Sequence, residues 1–146
     1  MAHITKLGMV ILMEFDLEAA VAFYKKLGFN LKFHLKDQWA EFDLGDIKIG
    51  LCPAPKTDNL IRTGLVFEVA DLEDMFAKLS AEGFPFLNEP VKKIHGIMMS
   101  FKDPGNNVID LYQPTPENLK DLVKKTVEGD KGDCCGSEQG CCKPDA

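Results

Sequence analysis

Long hydrophobic runs are missing from this chain: no apolar stretch approaches the roughly 18 residues that a bilayer-spanning helix needs. The opening "MAHITKLGMVILMEFD" has no small-residue cleavage pattern after its apolar part, so it does not read as a secretory leader, and a cytoplasmic location is expected. Basic runs are missing too, and the formal net charge is -6. Phosphates attract Lys and Arg clusters, so neither nucleic acid nor an anionic membrane is expected as partner; a neutral or cationic small molecule suits this balance better. Cysteines that could staple a domain are scarce. Of five, only Cys52 lies in the body and four stand in the last thirteen residues, which excludes a disulfide framework.

What remains is the composition of a folding chain, with 45% hydrophobic and 27% charged residues over 146 positions, enough for one core. Two segments, "DLEAAVAFYKKLGF" (16–29) and "DLEDMFAKLSAEGF" (71–84), repeat at an offset of 55. Each has the grammar of a helix. Asp16 and Asp71 stand where an N-cap carboxylate accepts backbone N–H bonds, Glu18 and Glu73 favour the first turn, and Gly28 and Gly83 suit the position after the last turn. Apolar residues recur at helical spacing in both. A strand-like run precedes each helix, "MVILMEF" and "GLVFEVA", and three follow it: "NLKFHL", "WAEFDL" and "IKIGLC" in the first half; a run near 86–92, "IMMSF" and "NVIDLY" in the second.

The pattern predicts an α+β fold, βαβββ twice, in one domain over 1–114 whose modules cover about 5–53 and 61–114. Pro116 at a first helical position and Leu119, Leu122 and Val123 at helical spacing predict a further helix over 115–128. Residues 129–146 are mostly Gly, Asp, Lys, Ser and Cys, with no large apolar side chain to bury, and a flexible tail is expected there.

The tandem βαβββ, with "DLE…FY…LGF" after the first strand and "FEVADLE…EGF…DPGNNVIDLYQP" in the second half, resembles the vicinal oxygen chelate superfamily over about residues 5–114. That superfamily includes glyoxalase I, bleomycin-resistance proteins and extradiol dioxygenases. The resemblance implies curved mixed sheets around a cleft, helices on the outer face, and a homodimer. In catalytic members it also implies one divalent metal held by residues of the first and last strands of each module. Carried onto this chain, the ligand positions are Met9, Gly50, Gly64 and Asp110. A catalytic metal needs about three N or O donors with one position open, and a thioether, two glycines and one carboxylate do not provide them. No metal is therefore expected in the cleft.

Residues two apart on a strand share a face. If Met9, Gly50, Gly64 and Asp110 face the cleft, so do Met13, Cys52, Glu68 and Tyr112; Trp39, Glu41 and Asp43 join them if Ala40 and Phe42 face the helices, and Met98 and Ser100 line the other wall. The candidate ligand-binding set is Met9, Met13, Trp39, Glu41, Glu68, Met98, Asp110 and Tyr112. Apolar and aromatic walls with a few carboxylates suit a neutral or cationic aromatic molecule, sequestered as in the bleomycin-resistance proteins that this chain resembles. The plainer reading makes the methionines core filler and the carboxylates solvated strand residues. His3, His34 and His95 read as surface or structural residues; His34 or His95 as a cleft base is the alternative, with no evident partner in the sequence for either of these two.

Cys134, Cys135, Cys141 and Cys142 form CC-x5-CC, a set of soft donors for zinc, copper(I), cadmium, mercury or trivalent arsenic. An inert tail is the competing reading, although exposed thiols are an oxidation liability. The expected function is small-molecule binding in a metal-free cleft with a soft-metal tail. The alternative is a glyoxalase-, lyase- or isomerase-type enzyme using Glu41, Glu68 or Asp110 as base, or a divalent metal in a relocated site.

Overall fold

The computed structural model describes residues 2–115 and 124. The expected 129–146 tail, its four cysteines and nearly all of the expected 115–128 helix lie outside these described residues.

Strand β1 (Met9–Glu14) ends where Asp16 accepts the Ala19 N–H at 3.1 Å, and that cap starts helix α1 (Leu17–Lys26). Gly28, with φ 91°, then turns the chain out of the helix in a conformation that a Cβ would disfavour. Strands β2 (Asn30–Leu35), β3 (Trp39–Asp43) and β4 (Lys48–Pro53) follow. The second module repeats the order with β5 (Ile61–Glu68), α2 (Leu72–Ala81), β6 (Val91–Lys93), β7 (Gly96–Lys102) and β8 (Asn107–Pro114). Its helix is capped in the same way, by Asp71 accepting the Asp74 N–H at 3.0 Å.

Each module is one four-stranded mixed sheet, ordered β1-β4-β3-β2 and β5-β8-β7-β6. The first strand of each runs parallel to the last, and the other pairs are antiparallel. The run expected near 86–92 gives only the short β6. Phe86 makes a single bridge to Phe101, and the Asn88 side chain accepts the Ser100 N–H at 2.8 Å, taking the place of a ladder carbonyl. Pro90, which has no N–H to donate, stands between that bridge and β6, where the pairing is interrupted.

Even-numbered residues of β1 and β3 and odd-numbered residues of β4, β7 and β8 supply the helix-covered core: Leu12, Ala40, Phe42, Ile49, Leu51, Ile97, Met99, Phe101, Ile109 and Leu111 are all buried. Each of these side chains except the small Ala40 contributes about 1.5–3 kcal/mol. The core runs through both modules. Phe23 of α1 stacks on Phe84 at 5.0 Å and meets Phe101 at 5.7 Å, while Phe29 meets Phe67 edge-on at 5.2 Å. No helix among the described residues is long and apolar enough to cross a membrane.

Candidate functional site

With one face of each sheet buried, alternation leaves the opposite face for ligands. On the first sheet this open face carries Met9, Ile11 and Met13 of β1, beside Lys48, Gly50 and Cys52 of β4, with which they are in register. On β3 it carries Trp39, Glu41 and Asp43, with Glu41 opposite Gly50 and Asp43 opposite Lys48. Ile11 and Met13 are 51% and 45% exposed, and Phe33 and Leu35 of β2 are exposed as well. These are apolar side chains that the fold of one chain leaves uncovered.

Trp39 dominates the centre of this face. A Cβ built on Gly50 would stand 2.6 Å from Trp39 Cζ2 and 3.1 Å from Met9 Sδ, with the indole Cη2 nearer still. The ring therefore lies over Gly50, beside Met9. Glu41 stands next to this cluster only 8% exposed, and within the described residues no hydrogen bond or ion pair engages its carboxylate.

On the second sheet Val66 is in register with Asp110, Glu68 with Tyr112, Ser100 with Asp110 and Met98 with Tyr112. The Ser100 hydroxyl donates to Asp110 Oδ1 at 2.5 Å, and the Tyr112 hydroxyl donates to the His95 carbonyl at 2.8 Å. Glu68 is exposed and unbonded among the described residues. A hollow of about 510 Å³ opens on this face, lined by Arg62, Asn88 and Ser100 among others. Arg62 is absent from the candidates read from sequence, although it shares parity with Gly64. The register shifts between Arg62 and Val66, where Thr63 Oγ1 reaches the Val108 carbonyl at 2.7 Å and Gly64 takes φ 69°.

The eight candidate residues thus stand in two quartets: Met9, Met13, Trp39 and Glu41 on the first sheet; Glu68, Met98, Asp110 and Tyr112 on the second. Among the described residues, no hydrogen bond, ion pair or ring contact joins the quartets. Of the four positions that the resemblance implies for metal ligands, Gly50 lies under the Trp39 ring, Gly64 has no side-chain donor, Met9 offers a thioether and Asp110 is already bonded by Ser100. Among the described residues, no group of three or more His, Cys, Asp and Glu could hold an ion. These residues do not fit a catalytic metal.

His34 has a structural role, with a partner that the sequence did not show: its Nε2 lies 3.0 Å from Glu18 Oε1, which also accepts the Asp37 N–H at 3.1 Å. The Asp37 bond first, and then His34, hold the Glu18 carboxyl below its usual range. This ties the start of α1 to the β2–β3 turn, away from the open face. His95 stacks obliquely on Tyr112, with ring centroids 5.7 Å apart.

Comparison with known proteins agrees with this architecture. The Glyoxalase/Bleomycin resistance protein/Dioxygenase superfamily model matches residues 3–111. Among solved structures, the antibiotic-binding protein TnmS3 from Streptomyces sp. CB03234 is similar at 26% identity and TM-score 0.63, over 79% of this chain and all of that one (100%). A lactoylglutathione lyase from Agrobacterium tumefaciens is similar at 17% identity and TM-score 0.62, over 75% of this chain and 93% of its own. A bleomycin resistance determinant encoded on the transposon Tn5 shares 21% identity at TM-score 0.59, over 75% and 98%. A search of curated protein sequences finds no match. With two βαβββ modules, and with a family model spanning nearly all of both, this chain belongs to the glyoxalase/bleomycin resistance protein/dioxygenase superfamily.

Proposed function

We propose that this protein binds and sequesters a neutral or cationic aromatic small molecule on the open faces of its sheets, without a metal in the cleft, and that it does so as a homodimer. The observation that carries this reading is the Trp39 ring over Gly50: an aromatic platform occupies the place of a metal ligand, beside the nearly buried and unbonded Glu41. A planar cation stacks on such a ring and gains a charge-assisted bond to a carboxylate. Likeness to an antibiotic-binding protein at 26% identity supports binding over turnover. A second copy is favoured because Ile11, Met13, Phe33 and Leu35 are left uncovered, and covering them would complete a two-walled cleft. The four tail cysteines are proposed as a separate soft-metal chelator.

Trp39 is the chain's one tryptophan, so its emission reports binding directly. Titration with a panel of planar aromatic cations is expected to quench it for at least one member, with Glu68→Ala and Glu41→Ala weakening that binding several-fold. Unaltered affinity in both variants would sink the carboxylate-lined cleft. For the tail, elemental analysis of the full chain and of a variant ending at Lys131 is expected to find soft metal on the full chain alone. Metal on the truncated form would place it in the body instead.

A further inference from the structure

The duplication builds two related corners, each made where the first strand and helix of one module meet the β3–β4-type turn of the other. At one corner Glu14, Tyr24, Asp103 and Asn107 are buried and joined by hydrogen bonds. At the offset of 55, Glu14 corresponds to Val69, Phe15 to Ala70 and Tyr24 to Leu79. The turns correspond through their bonds: the Asp103 N–H reaches the Asn107 carbonyl at 3.0 Å, as the Leu44 N–H reaches the Ile47 carbonyl at 3.0 Å. Every polar member of the first corner therefore has an apolar counterpart, and the half-buried Phe15 is matched by the small Ala70.

The second corner is open. It holds a cavity of about 480 Å³, floored by Phe101 and Leu111, walled by Phe29, Phe67 and Met75, with the 37%-exposed Leu44 at its mouth. Phe67, Phe101 and Leu111 are on the helix-covered face of their sheet, opposite Val66, Ser100 and Asp110, so this cavity is separate from the open faces. Glu68 is the one charged residue along it, and strand alternation turns its side chain to the other face.

We infer that this inter-module cavity is a second binding site, for a small neutral apolar molecule, aromatic or branched aliphatic. Its volume is within the roughly 300–1,000 Å³ of ligand pockets. Its lining comes from both modules, Leu27, Phe29 and Leu44 from the first and Phe67, Val69 and Met75 from the second, so the occupant that fits it is a small molecule inserted between them. Among the described residues the lining has no charged residue besides Glu68, whose strand position faces the other way, so little offsets the desolvation of an ionic ligand and the site selects against charge. The site is independent of ligand binding at Trp39.

The test uses N-phenyl-1-naphthylamine, a neutral fluorophore that brightens in apolar surroundings. The full-length protein is expected to bind it. Ala70→Phe, which restores the bulk that Phe15 supplies at the other corner, is expected to weaken binding at least tenfold while keeping a cooperative thermal transition. Leu44→Trp narrows the mouth from an exposed position and is expected to do the same; it decides the matter if Ala70→Phe does not fold. No brightening with the wild type would overturn the inference. So would binding that survives Leu44→Trp and Ala70→Phe, or binding lost in Trp39→Ala, which would put the probe on the open face.

Discussion

The Tyr24 hydroxyl donates a 2.7 Å hydrogen bond to Asp103 Oδ2, across a sequence separation of 79 residues and with both side chains buried. Tyr24 belongs to the helix of the first module and Asp103 to the last turn of the second, so this bond joins the two repeats. Asp103 Oδ1 also accepts the N–H groups of Gly105 and Asn107, each at 2.9 Å. Burial first, and then the Asp103 carboxylate, hold the Tyr24 hydroxyl protonated far above the usual phenol range. Tyr24→Phe keeps the ring contacts and removes only the donor, leaving a buried carboxylate short of one bond. It is expected to lower unfolding free energy by about 1.5–3 kcal/mol, the range for a bond to a charged group. Urea unfolding measures this; a loss below about 0.5 kcal/mol would mean that solvent replaces the phenol.

Glu14 lies at the same junction, fully buried, with Oε1 accepting from Asn107 Nδ2 at 3.3 Å and Oε2 without a bonding partner. Gly105 makes room for it, since a Cβ there would strike Oε2 and stand 2.7 Å from the Met13 carbonyl. Burial, and then the neighbouring Asp103, push the Glu14 carboxyl up from 4.5 to about 10. A proton on the carboxyl removes the cost of burying a second negative charge beside Asp103. Because the folded value is the raised one, this contribution is fully present below about 4.5 and falls as pH rises toward about 10, by at most about 1.4 kcal/mol per pH unit. Glu14→Gln provides an N–H donor of the same shape without titrating. It is expected to fold and to be more stable than wild type at pH 8, with a flatter dependence of stability on pH from 5 to 9. Equal slopes for the two proteins in that window would show that Glu14 is not protonated in the folded state.

The helix caps at Asp16 and Asp71 were legible in the sequence because capping is local, decided within three residues. Strand faces were legible for a related reason: burial on one side enforces period two, and Met9, Trp39, Glu41 and Asp110 do share the uncovered faces of their sheets. Glu14 escaped notice despite standing on the core parity of Val10 and Leu12. Its hydrogen-bond partner Asn107 lies 93 positions away, and no local pattern announces a bond of that span. The corner cavity was hidden for the opposite reason. An apolar corner reads like any other core, and only comparison with its polar counterpart shows that volume has been left unfilled.

Gly50 and Trp39 provide the sharpest check on the open face. A Cβ at position 50 would stand 2.6 Å from Trp39 Cζ2, closer than packed atoms tolerate, so Gly50→Ala must displace the indole or the strand. Overpacking of this kind costs about 1–3 kcal/mol. With Trp39→Ala in place the clash with the ring is gone and only the flexible Met9 side chain, its Sδ 3.1 Å away, must yield by a few tenths of an ångström, while alanine in a strand interior is favoured over glycine by about 0.5–1 kcal/mol. The same substitution is therefore expected to change sign: destabilising alone, neutral to stabilising beside Trp39→Ala, with a coupling of about 1.5–4 kcal/mol summed from those two ranges in a double-mutant cycle of unfolding free energies. Additive effects would show that the ring does not rest on Gly50, and the aromatic platform proposed for ligand binding would fall with it. A strong coupling together with unchanged Trp39 emission on adding planar cations would separate the two questions, leaving the packing in place and the proposed ligand class refuted.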